Sequence, residues 1–396
     1  MQTKNLISFA GKRGNQIRSD CFVELELKTS GGINLNLKSK VASMYGASIE
    51  KQIKEMCSFF GLKNANILIE DNGALPFVLA ARFELAVKRL FPEIDKEFLL
   101  PANKNNLYHT SKERLRRSRL YLPGNEPKFF LNAGLHQPDG IILDLEDSVA
   151  HSEKDAAQLL VRNALRSVDF YGSERMVRIN QLPRGFDDLK FIVPHNVQVI
   201  LIPKCESPKQ VIDTEAEIDR IKKKNNISNE IYLMPIIESA LGILKAYEIA
   251  TASKNICALT IGLEDYTADI GTQRTLEGRE SFFARSMIVN AAKAAGVQAI
   301  DTVFSDVGDI EGLRASVLDA KSLGFEGKGC IHPRQIPVVH EVFAPTSDEI
   351  DKAKKIVAAF EEAKVKGIGV VSLGSKMVDA PVVKKAIRIL ELSGRS

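Results

Sequence analysis

The chain has 396 residues, of which 44% are hydrophobic and 26% are charged, as is usual for a globular protein. Its formal net charge of +4 is too small to indicate nucleic acid or a membrane surface as the main partner. The five cysteines are scattered and form no CxxC pair, which favours reduced thiols over a disulfide framework or a zinc site. No run has the apolar length of a signal peptide or a membrane span, so we expect a cytoplasmic protein.

Residues 1–100 predict a small α+β domain. Its expected elements are strands at 21–28 and 33–40, a helix at 48–62, a strand at 64–73 and a helix at 75–91. Gly31 and Gly32 separate the first two strands, so we expect these strands to form a hairpin. Residues 101–116 are polar and predict a linker. The basic run at 112–119 indicates either a solvated face or a site for a phosphate-bearing ligand.

Residues 117–340 contain eight short apolar runs, each rich in Leu or β-branched residues. The runs lie at 118–123, 140–147, 175–180, 197–204, 231–239, 256–265, 298–305 and 327–333. Each run is typical of a strand that is buried on both faces, and the amphipathic segments between them are long enough for crossover helices. Eight strands that alternate with helices predict an α/β fold of the (β/α)₈ TIM-barrel type.

Residues 341–396 predict a C-terminal helical segment. Thr346 or Ser347 can cap a helix that Gly367 stops. A hairpin is then expected before a last helix that carries Val383 and Ala386 at helical spacing. Such a segment could close as a lid over the barrel mouth of its own subunit or of a neighbour.

The predicted strands end in charged or polar side chains, at the end of the barrel where an active site lies. These residues are Glu146, Asp147, Arg178, Asn180, Lys204, Glu238, Glu264, Asp265 and His332. A carboxylate that is buried without a partner is costly, so a core strand has no structural use for it. Acids at three strand ends on one barrel face therefore predict a divalent cation such as Mg²⁺, which prefers carboxylate and water ligands.

Three basic residues among the strand ends leave alternatives open. Arg178 can bind a ligand oxygen with its planar fork, or it can form an internal salt bridge with Glu146 or Asp147. Lys204 could form a Schiff base, although the metal-type acids make that route less favoured. His332 precedes a proline and suits a structural role as well as a functional one.

Several motifs in the last three-quarters of the chain resemble one enzyme family. They are RSRLYLPG (117–124), GIILDLEDSV (140–149), VRIN (177–180), ILIPK (200–204), MPIIESALGI (234–243), IGLEDYTADIG (261–271), GFEGKGCIHPRQI (324–336) and KMVDAP (376–381). In this order they resemble the citrate lyase beta subunit / malyl-CoA lyase family over about residues 114–390. The resemblance implies a TIM barrel that binds Mg²⁺, or Mn²⁺ in its place, and makes or breaks a carbon–carbon bond next to a CoA thioester.

The resemblance also implies roles for individual residues. The metal ligands match Glu238 and Asp265, the contacts to substrate or CoA match Arg119 and Arg178, and the catalytic groups match Arg178, Asp379, Glu146 and Asp147. Lys204 and His332, at two further strand ends, are added as candidate contacts for the substrate or CoA. In the family the counterpart of Asp379 reaches into the neighbouring subunit's site, where it could donate or accept a proton. A homo-oligomer, either a trimer or a hexamer with shared active sites, is therefore expected.

The N-terminal domain, at about 14–92, resembles the acyl-carrier (gamma) subunit of citrate lyase. GNQIRSDCFVELEL and IEDNGALPFVLAARFELAVKR carry this resemblance. The carrier's prosthetic-group serine lies two residues before the aspartate, a position that Arg18 occupies, while Ser19 follows one residue later. Unless Ser19 takes the modification, we expect the domain to be a structural or regulatory remnant.

The expected activity is a Mg²⁺-dependent cleavage of a 3-hydroxyacyl-CoA such as citramalyl-CoA or malyl-CoA. The products would be an acyl-CoA, such as acetyl-CoA, and a 2-oxo acid, such as pyruvate or glyoxylate. One alternative is a citrate lyase beta-type subunit fused to its carrier, which would cleave a citryl thioester to oxaloacetate. The others are a class II oxo-acid aldolase that needs no CoA and a non-catalytic scaffold in a carrier-containing complex.

Overall fold

The computed structural model describes residues 6–365, 371–373 and 376–393. Its strands are β1 Ile7–Gly11, β2 Cys21–Leu27, β3 Ile33–Ser39, β4 Ala65–Asp71, β5 Ser118–Pro123, β6 Gly140–Asp144, β7 Glu174–Arg178, β8 Val199–Ile202, β9 Tyr232–Ile237, β10 Ala258–Ile261, β11 Gln298–Asp301, β12 Gly327–Cys330, β13 Val371–Leu373 and β14 Lys376–Val378. Its α-helices are α1 Ala42–Phe60, α2 Pro76–Leu90, α3 Lys154–Ser167, α4 Gly185–Ile192, α5 Pro208–Asn225, α6 Ala240–Leu244, α7 Ala246–Ala250, α8 Leu263–Asp269, α9 Arg279–Ala295, α10 Ile310–Leu323, α11 Gln335–Phe343, α12 Ser347–Val365 and α13 Ala380–Ser393.

Strands β5 to β12 form a closed, all-parallel barrel, which confirms the predicted TIM barrel. Each of the eight apolar runs corresponds to one strand, and several strands, such as β8 and β9, are buried at every residue. Helices cover the outer face of these strands, so the main apolar core lies between the strand layer and the helix layer.

The N-terminal sheet has the strand order β1-β2-β4-β3, and the predicted hairpin of β2 and β3 is wrong. Strand β4 lies between them, antiparallel to β2 and parallel to β3. Helix α1 lies between β3 and β4 in the chain and supplies the crossover that a parallel pair needs, so β3 pairs with β4 and not with β2. Strand β1 was not predicted, and it pairs with β2 at the sheet edge.

Helix α2 joins the N-terminal domain to the barrel, because it packs on its own sheet and also on α3. Arg162 of α3 pairs with Glu84 of α2 at 2.7 Å and with Glu97 at 2.9 Å, and the side chains of Arg162 and Glu84 are fully buried. The nearby exposed pair of Arg89 with Asp155 spans the same junction at 3.0 Å. The domain is thus fixed to the side of the barrel by buried charges.

The predicted linker follows the N-terminal end of the barrel, opposite the mouth. The Asn103 N–H donates to the Arg166 carbonyl at 2.6 Å, and the buried Arg116 pairs with Glu174 at 2.7 Å. Arg117 pairs with Asp139 at 2.9 Å in the same layer. These ion pairs hold Arg116 and Arg117 before β5 begins, so the structure favours a structural role for these two members of the basic run at 112–119.

The C-terminal segment forms a separate small cluster of α12, the β13–β14 hairpin and α13. Thr346 caps α12 with a reciprocal pair of bonds to Glu349, as predicted. Gly367 lies outside the described residues. Arg388 of α13 pairs with Glu326, which precedes β12 and therefore lies at the N-terminal end of the barrel. The described part of this segment accordingly does not cover its own barrel mouth.

No helix among the described residues is both long and apolar enough to span a bilayer.

Candidate active site

A cavity of about 380 Å³ opens at the C-terminal end of the barrel strands. The predicted site residues that line it are Arg119, Asp147, Arg178, Glu238, Glu264 and Asp265. Glu146 and Lys204 join this group through ion pairs with the lining residues. The fold therefore brings together side chains that are as much as 146 residues apart in sequence, counted from Arg119 to Asp265.

Arg178, the last residue of β7, is the most heavily paired group in the cavity. Its Nε and Nη2 donate to the two oxygens of Asp144 at 2.7 and 2.6 Å, and its Nη1 lies 2.9 Å from Glu146. Burial alone would lower the pKa of Arg178, but the bonds to Asp144 outweigh it and the pKa rises. The guanidinium is thus permanently charged and held in one orientation at the cavity wall.

Glu238 and Asp265 come from neighbouring strands of the barrel. Glu238 follows β9, and Asp265 lies in the first turn of α8, directly after β10. Lys204 links them, because its backbone N–H donates to Glu238 at 3.0 Å and its Nζ lies 3.3 Å from Asp265. A Cβ at Gly262 would lie 2.3 Å from Glu238 Oε1, so glycine is needed for this carboxylate to lie against the backbone.

The electrostatics of these carboxylates suit a cation. Burial is the main reason that the pKa of Glu238 rises to about 7, and the negative charges of Asp265 and Glu146 act in the same direction. Burial also raises the pKa of Glu146, with Asp147 adding to the effect. A divalent cation would relieve this repulsion, because an opposite charge favours the ionised form.

No three His, Cys, Asp or Glu side chains in the described parts of the chain are grouped so as to enclose a metal ion. Mg²⁺ does not require such a group, because it usually keeps several waters and takes only one or two protein carboxylates. Glu238 and Asp265 meet that requirement, and Glu146 and Asp147 lie beside them, 3.9 and 3.8 Å from the Lys204 ammonium. The residues present therefore fit Mg²⁺.

Arg119 lies at the floor of the cavity. It is the second residue of β5, and its side chain is fully buried. Its Nη1 donates to Thr260 Oγ1 and contacts Met234 Sδ, both at 3.0 Å, while Nε and Nη2 have no hydrogen-bond partner. Burial lowers the pKa of this guanidinium, since no carboxylate forms an ion pair with it among the residues that the structure describes.

Three predicted residues take other positions. Asp379 caps α13, where its Oδ1 accepts from the Val382 N–H at 3.2 Å, and it does not line the cavity of its own barrel. His332 lies outside the cavity lining, and its Nδ1 accepts from the Arg334 N–H at 3.1 Å. Glu264 lines the cavity rim but pairs with Arg274, and most of its side chain is exposed.

The sequence reasoning missed Asp144 and a second buried network. Asp144 ends β6 and holds Arg178, a role that the DLED motif could have indicated, since its first acid is the register partner of Arg178 in the neighbouring strand. Inside the barrel, Asp301 of β11 lines the cavity and pairs with Lys328 at 2.7 Å and Arg285 at 3.1 Å. Only the three-dimensional arrangement identifies these partners.

Comparisons with known proteins agree with this geometry. Residues 117–333 match the HpcH/HpaI aldolase/citrate lyase family, and residues 12–90 match the family described as Malonate decarboxylase delta subunit (MdcD). The chain is 43% identical to the citrate lyase subunit beta of Leuconostoc mesenteroides subsp. cremoris, over 72% of this chain and 95% of that protein. It is 33% identical to the mitochondrial citramalyl-CoA lyase of Rattus norvegicus, over 70% of this chain and 86% of that protein.

A solved structure extends the comparison to three dimensions. The protein CitE from Mycobacterium tuberculosis, in complex with magnesium, acetoacetate and coenzyme A, superposes with a TM-score of 0.60 and 30% identity. The match covers 72% of this chain and 100% of that one. Fold, site geometry and sequence thus agree, and the chain belongs to the HpcH/HpaI aldolase/citrate lyase family.

Proposed function

We propose that this protein is a Mg²⁺-dependent carbon–carbon lyase that cleaves a 3-hydroxyacyl-CoA thioester. Citramalyl-CoA or malyl-CoA would yield acetyl-CoA and pyruvate or glyoxylate. The observation that carries the proposal is the pair of carboxylates, Glu238 and Asp265, that Lys204 links at the mouth of the barrel beside the fixed charge of Arg178.

Glu238 and Asp265 would hold the ion, with Mn²⁺ as a possible substitute for Mg²⁺. When bound, the ion supplies Lewis-acid polarisation of the oxygens of the 2-oxo acid half. Arg178 adds a positive charge that needs no reorganisation, because Asp144 holds its fork in place through two bonds. Glu146 and Asp147 would orient waters beside Lys204, which they face at 3.9 and 3.8 Å.

Lys204 is proposed to contribute charge and not a Schiff base. Burial alone would lower its pKa, but Asp147, Asp265 and Glu146 outweigh burial and the pKa rises. The ammonium lies within 3.9 Å of three carboxylates, Asp265, Asp147 and Glu146, which favours the role of a charge over that of a nucleophile. Arg119 and His332 remain proposed contacts for the substrate or its CoA portion.

A homo-oligomer with shared active sites is part of the proposal. Leu244 of α6 and Phe282 and Phe283 of α9 are 72%, 58% and 62% exposed on two helices that pack on each other, which supports an apolar surface for a neighbouring subunit. Asp379, the proposed proton donor, lies away from its own cavity, which supports a role in a neighbouring one. Exchange of subunits between Asp379→Ala and Arg178→Ala chains tests this, because mixed oligomers would regain activity.

We place the protein in the cytoplasm. Its five cysteines are all buried and none forms a disulfide, as is usual in a reducing compartment.

A citrate lyase beta-type activity on a carrier-bound citryl thioester is the second candidate. The 43% identity to a citrate lyase subunit beta and the carrier-like N-terminal domain favour it. It requires a modified serine, and Ser19 is half-buried with a left-handed backbone (φ 55°) beside the buried Asp20–Arg82 pair. Intact-protein mass spectrometry separates the two candidate functions. We expect no prosthetic group, whereas a group on Ser19 would support the citrate lyase activity on a carrier-bound thioester.

The metal assignment is tested with Glu238→Gln and Asp265→Asn, which keep the shape of the side chains and remove their charge. Each variant should lose Mg²⁺ binding in calorimetric titrations and lose thioester cleavage, because each removes one of the two proposed ligands. Glu264→Gln is the matched control, since Glu264 lines the same rim but pairs with Arg274. Unchanged Mg²⁺ affinity in both ligand variants would contradict the assignment.

A further inference from the structure

Helix α3 is much more deeply buried than α10, a barrel helix of the same length. Of the 14 residues of α3, 11 are buried, whereas α10 buries only three. The reason is that α3 lies between the barrel and the N-terminal domain, whose helix α2 packs against it. One helix therefore contacts the domain on one side and the barrel on another.

The side of α3 toward the domain is held by three polar residues, Asp155, Arg162 and Asn163. They lie at positions i, i+7 and i+8, which places them on one side of the helix. Each bonds a residue of α2, at 3.0, 2.7 and 3.0 Å respectively. The pair that Arg162 forms is fully buried, so breaking it would loosen the contact between the domain and this helix.

The side of α3 toward the barrel holds a turn of the active site. Lys154, the first residue of the helix, is 8% exposed, and its ammonium donates to the backbone carbonyls of Leu145, at 2.7 Å, and Glu146. Among the described residues, these carbonyls are its partners and no carboxylate forms an ion pair with it. The charge therefore fixes the main chain of residues 144–149, the turn from which the Glu146 side chain enters the site.

Gln158 lies one helical turn after the first residue of α3, on the same side, and holds a second loop at the mouth. Its Nε2 donates to Asp188 at 2.6 Å, and Asp188 accepts two bonds from Asn180, from the backbone N–H at 2.6 Å and from Nδ2 at 2.8 Å. The next residue, Gln181, donates to Glu146 Oε1 at 3.1 Å. Helix α3 thus supports the side chain of Glu146 as well as its main chain.

We infer that the N-terminal domain supports the active site through α3, and that Lys154 is the positioning residue for Glu146. This inference rests on the proposed function, in which Glu146 orients waters beside the metal site, and it deepens that function by giving the domain a part in it. The domain fixes one side of the helix, and the adjacent side then fixes the turn and the loop that place the Glu146 carboxylate. This role requires no prosthetic group on Ser19.

The first experiment is steady-state kinetics of Lys154→Met in the full chain, with whichever of citramalyl-CoA, malyl-CoA and citryl-CoA the wild type cleaves. We expect kcat to fall at least about tenfold, the usual minimum for loss of an outer partner of a metal site. KM should stay within about threefold, because Lys154 does not line the cavity. Lys154→Arg should recover part of the loss, since a guanidinium can also donate to both carbonyls. Lys209→Met is the matched control, since Lys209 lies in the first turn of α5 and forms an exposed pair with Asp213.

The second experiment needs no activity and measures hydrogen exchange of peptides that cover residues 144–149, at a temperature at which every variant is folded. Two backbone N–H groups of this turn donate to carbonyl oxygens at 2.9 and 3.0 Å, so the wild type should exchange slowly here. Lys154→Met should exchange faster. Arg162→Met should do the same and lower kcat, although Arg162 bonds no residue of the turn. Arg116→Met, which breaks an equally buried pair at the opposite end of the barrel, should leave this exchange unchanged.

If either main variant does not fold, Lys154→Gln or Arg162→Gln, which can keep one hydrogen bond, takes its place. Two results would overturn the inference. One is a Lys154→Met variant with kcat within about threefold of wild type, and the other is an Arg162→Met variant in which α2 exchanges faster and the turn does not. A wild type that cleaves no thioester would reject the proposed function instead, and the exchange measurements would still decide whether the domain supports the turn.

Discussion

The junction between the N-terminal domain and the barrel and the floor of the barrel each contain a fully buried arginine, with opposite surroundings. At the junction, Arg162 has two carboxylate partners, Glu84 and Glu97. At the floor, Arg119 has none among the described residues, and its bonds go to neutral groups. Both guanidinium groups are equally buried, but only the one at the junction forms ion pairs with carboxylates of the described residues.

This difference separates structural charge from binding charge. A buried ion pair orders the two elements that supply it, and breaking it is costly because the remaining charge stays unpaired. A buried charge without a partner beside an open cavity costs stability that a bound anion would restore. The carrier-like domain is therefore held as part of the framework, whereas Arg119, without a carboxylate partner among the described residues, lines the cavity.

Arg178 both forms an ion pair within the protein, with Asp144, and lines the cavity. Its replacement tests whether its role is structural or functional. We expect Arg178→Lys to lower kcat by about 10²–10³, because an ammonium cannot bond both oxygens of Asp144 and still present charge to the substrate. The measurement is steady-state kinetics with the preferred thioester, together with thermal unfolding to confirm the fold.

Lys128→Arg serves as the matched control for this substitution, since Lys128 is partly exposed at the barrel rim and should tolerate the change. If Arg178→Lys retains activity within about threefold of wild type, Arg178 belongs with Arg162 as a structural partner only.

The barrel was predicted well because a strand that is buried on both faces has a locally apolar sequence, which can be recognised without the structure. Seven of the eight strands lie inside an apolar run and β7 begins one residue before its run, and the ends of these runs carry the cavity-lining acids such as Glu238 and Asp265. The carboxyl ends of the parallel strands meet at one end of the barrel, so residues at the ends of these strands are neighbours in space.

The order of the N-terminal strands and the partners of the buried charges could not be predicted, because they depend on pairs of residues that are distant in sequence. The hairpin of β2 and β3 was wrong because β4, about 30 residues later in the chain, pairs with both. The Asp144–Arg178 fork and the Arg162–Glu84 pair join residues 34 and 78 positions apart. Arg119 differs from its neighbours Arg116 and Arg117 in having no carboxylate partner among the described residues, and no spacing rule reveals this difference.

The junction can be broken by removing one charge. Arg162→Met should lower the free energy of unfolding by about 3–5 kcal/mol, because Glu84 would remain buried without its main partner. Adding Glu84→Leu to the same chain should recover most of this loss, since the two apolar side chains can pack where the ion pair was. Denaturant titrations of the three chains measure both effects.

Arg89→Met is the control for the junction, since its pair with Asp155 lies at the same boundary but is 35% and 48% exposed. Its cost should be about 1 kcal/mol or less. Equal losses for Arg89→Met and Arg162→Met would show that burial of the pair does not matter and would remove the contrast with Arg119.

The cysteines report whether the two regions unfold together. Cys21 and Cys57 lie in the N-terminal domain, whereas Cys205, Cys257 and Cys330 lie in the barrel. Burial raises the pKa of Cys57 and Cys257 to about 11, of Cys205 and Cys330 to about 12, and that of Cys21 well above its usual value. At pH 8 the native protein should therefore not react with a chromogenic disulfide reagent, since thiolate is the reactive form.

In denaturant, the wild type should expose its thiols in one transition, because the Arg162 pairs couple the domain to the barrel. In Arg162→Met, Cys21 and Cys57 should react at a lower denaturant concentration than the three barrel cysteines, which peptide mapping of the labelled sites resolves. Early labelling of Cys21 and Cys57 in the wild type would mean that the carrier-like domain opens independently. Its buried charges would then order the interface without making the two regions a single cooperative unit.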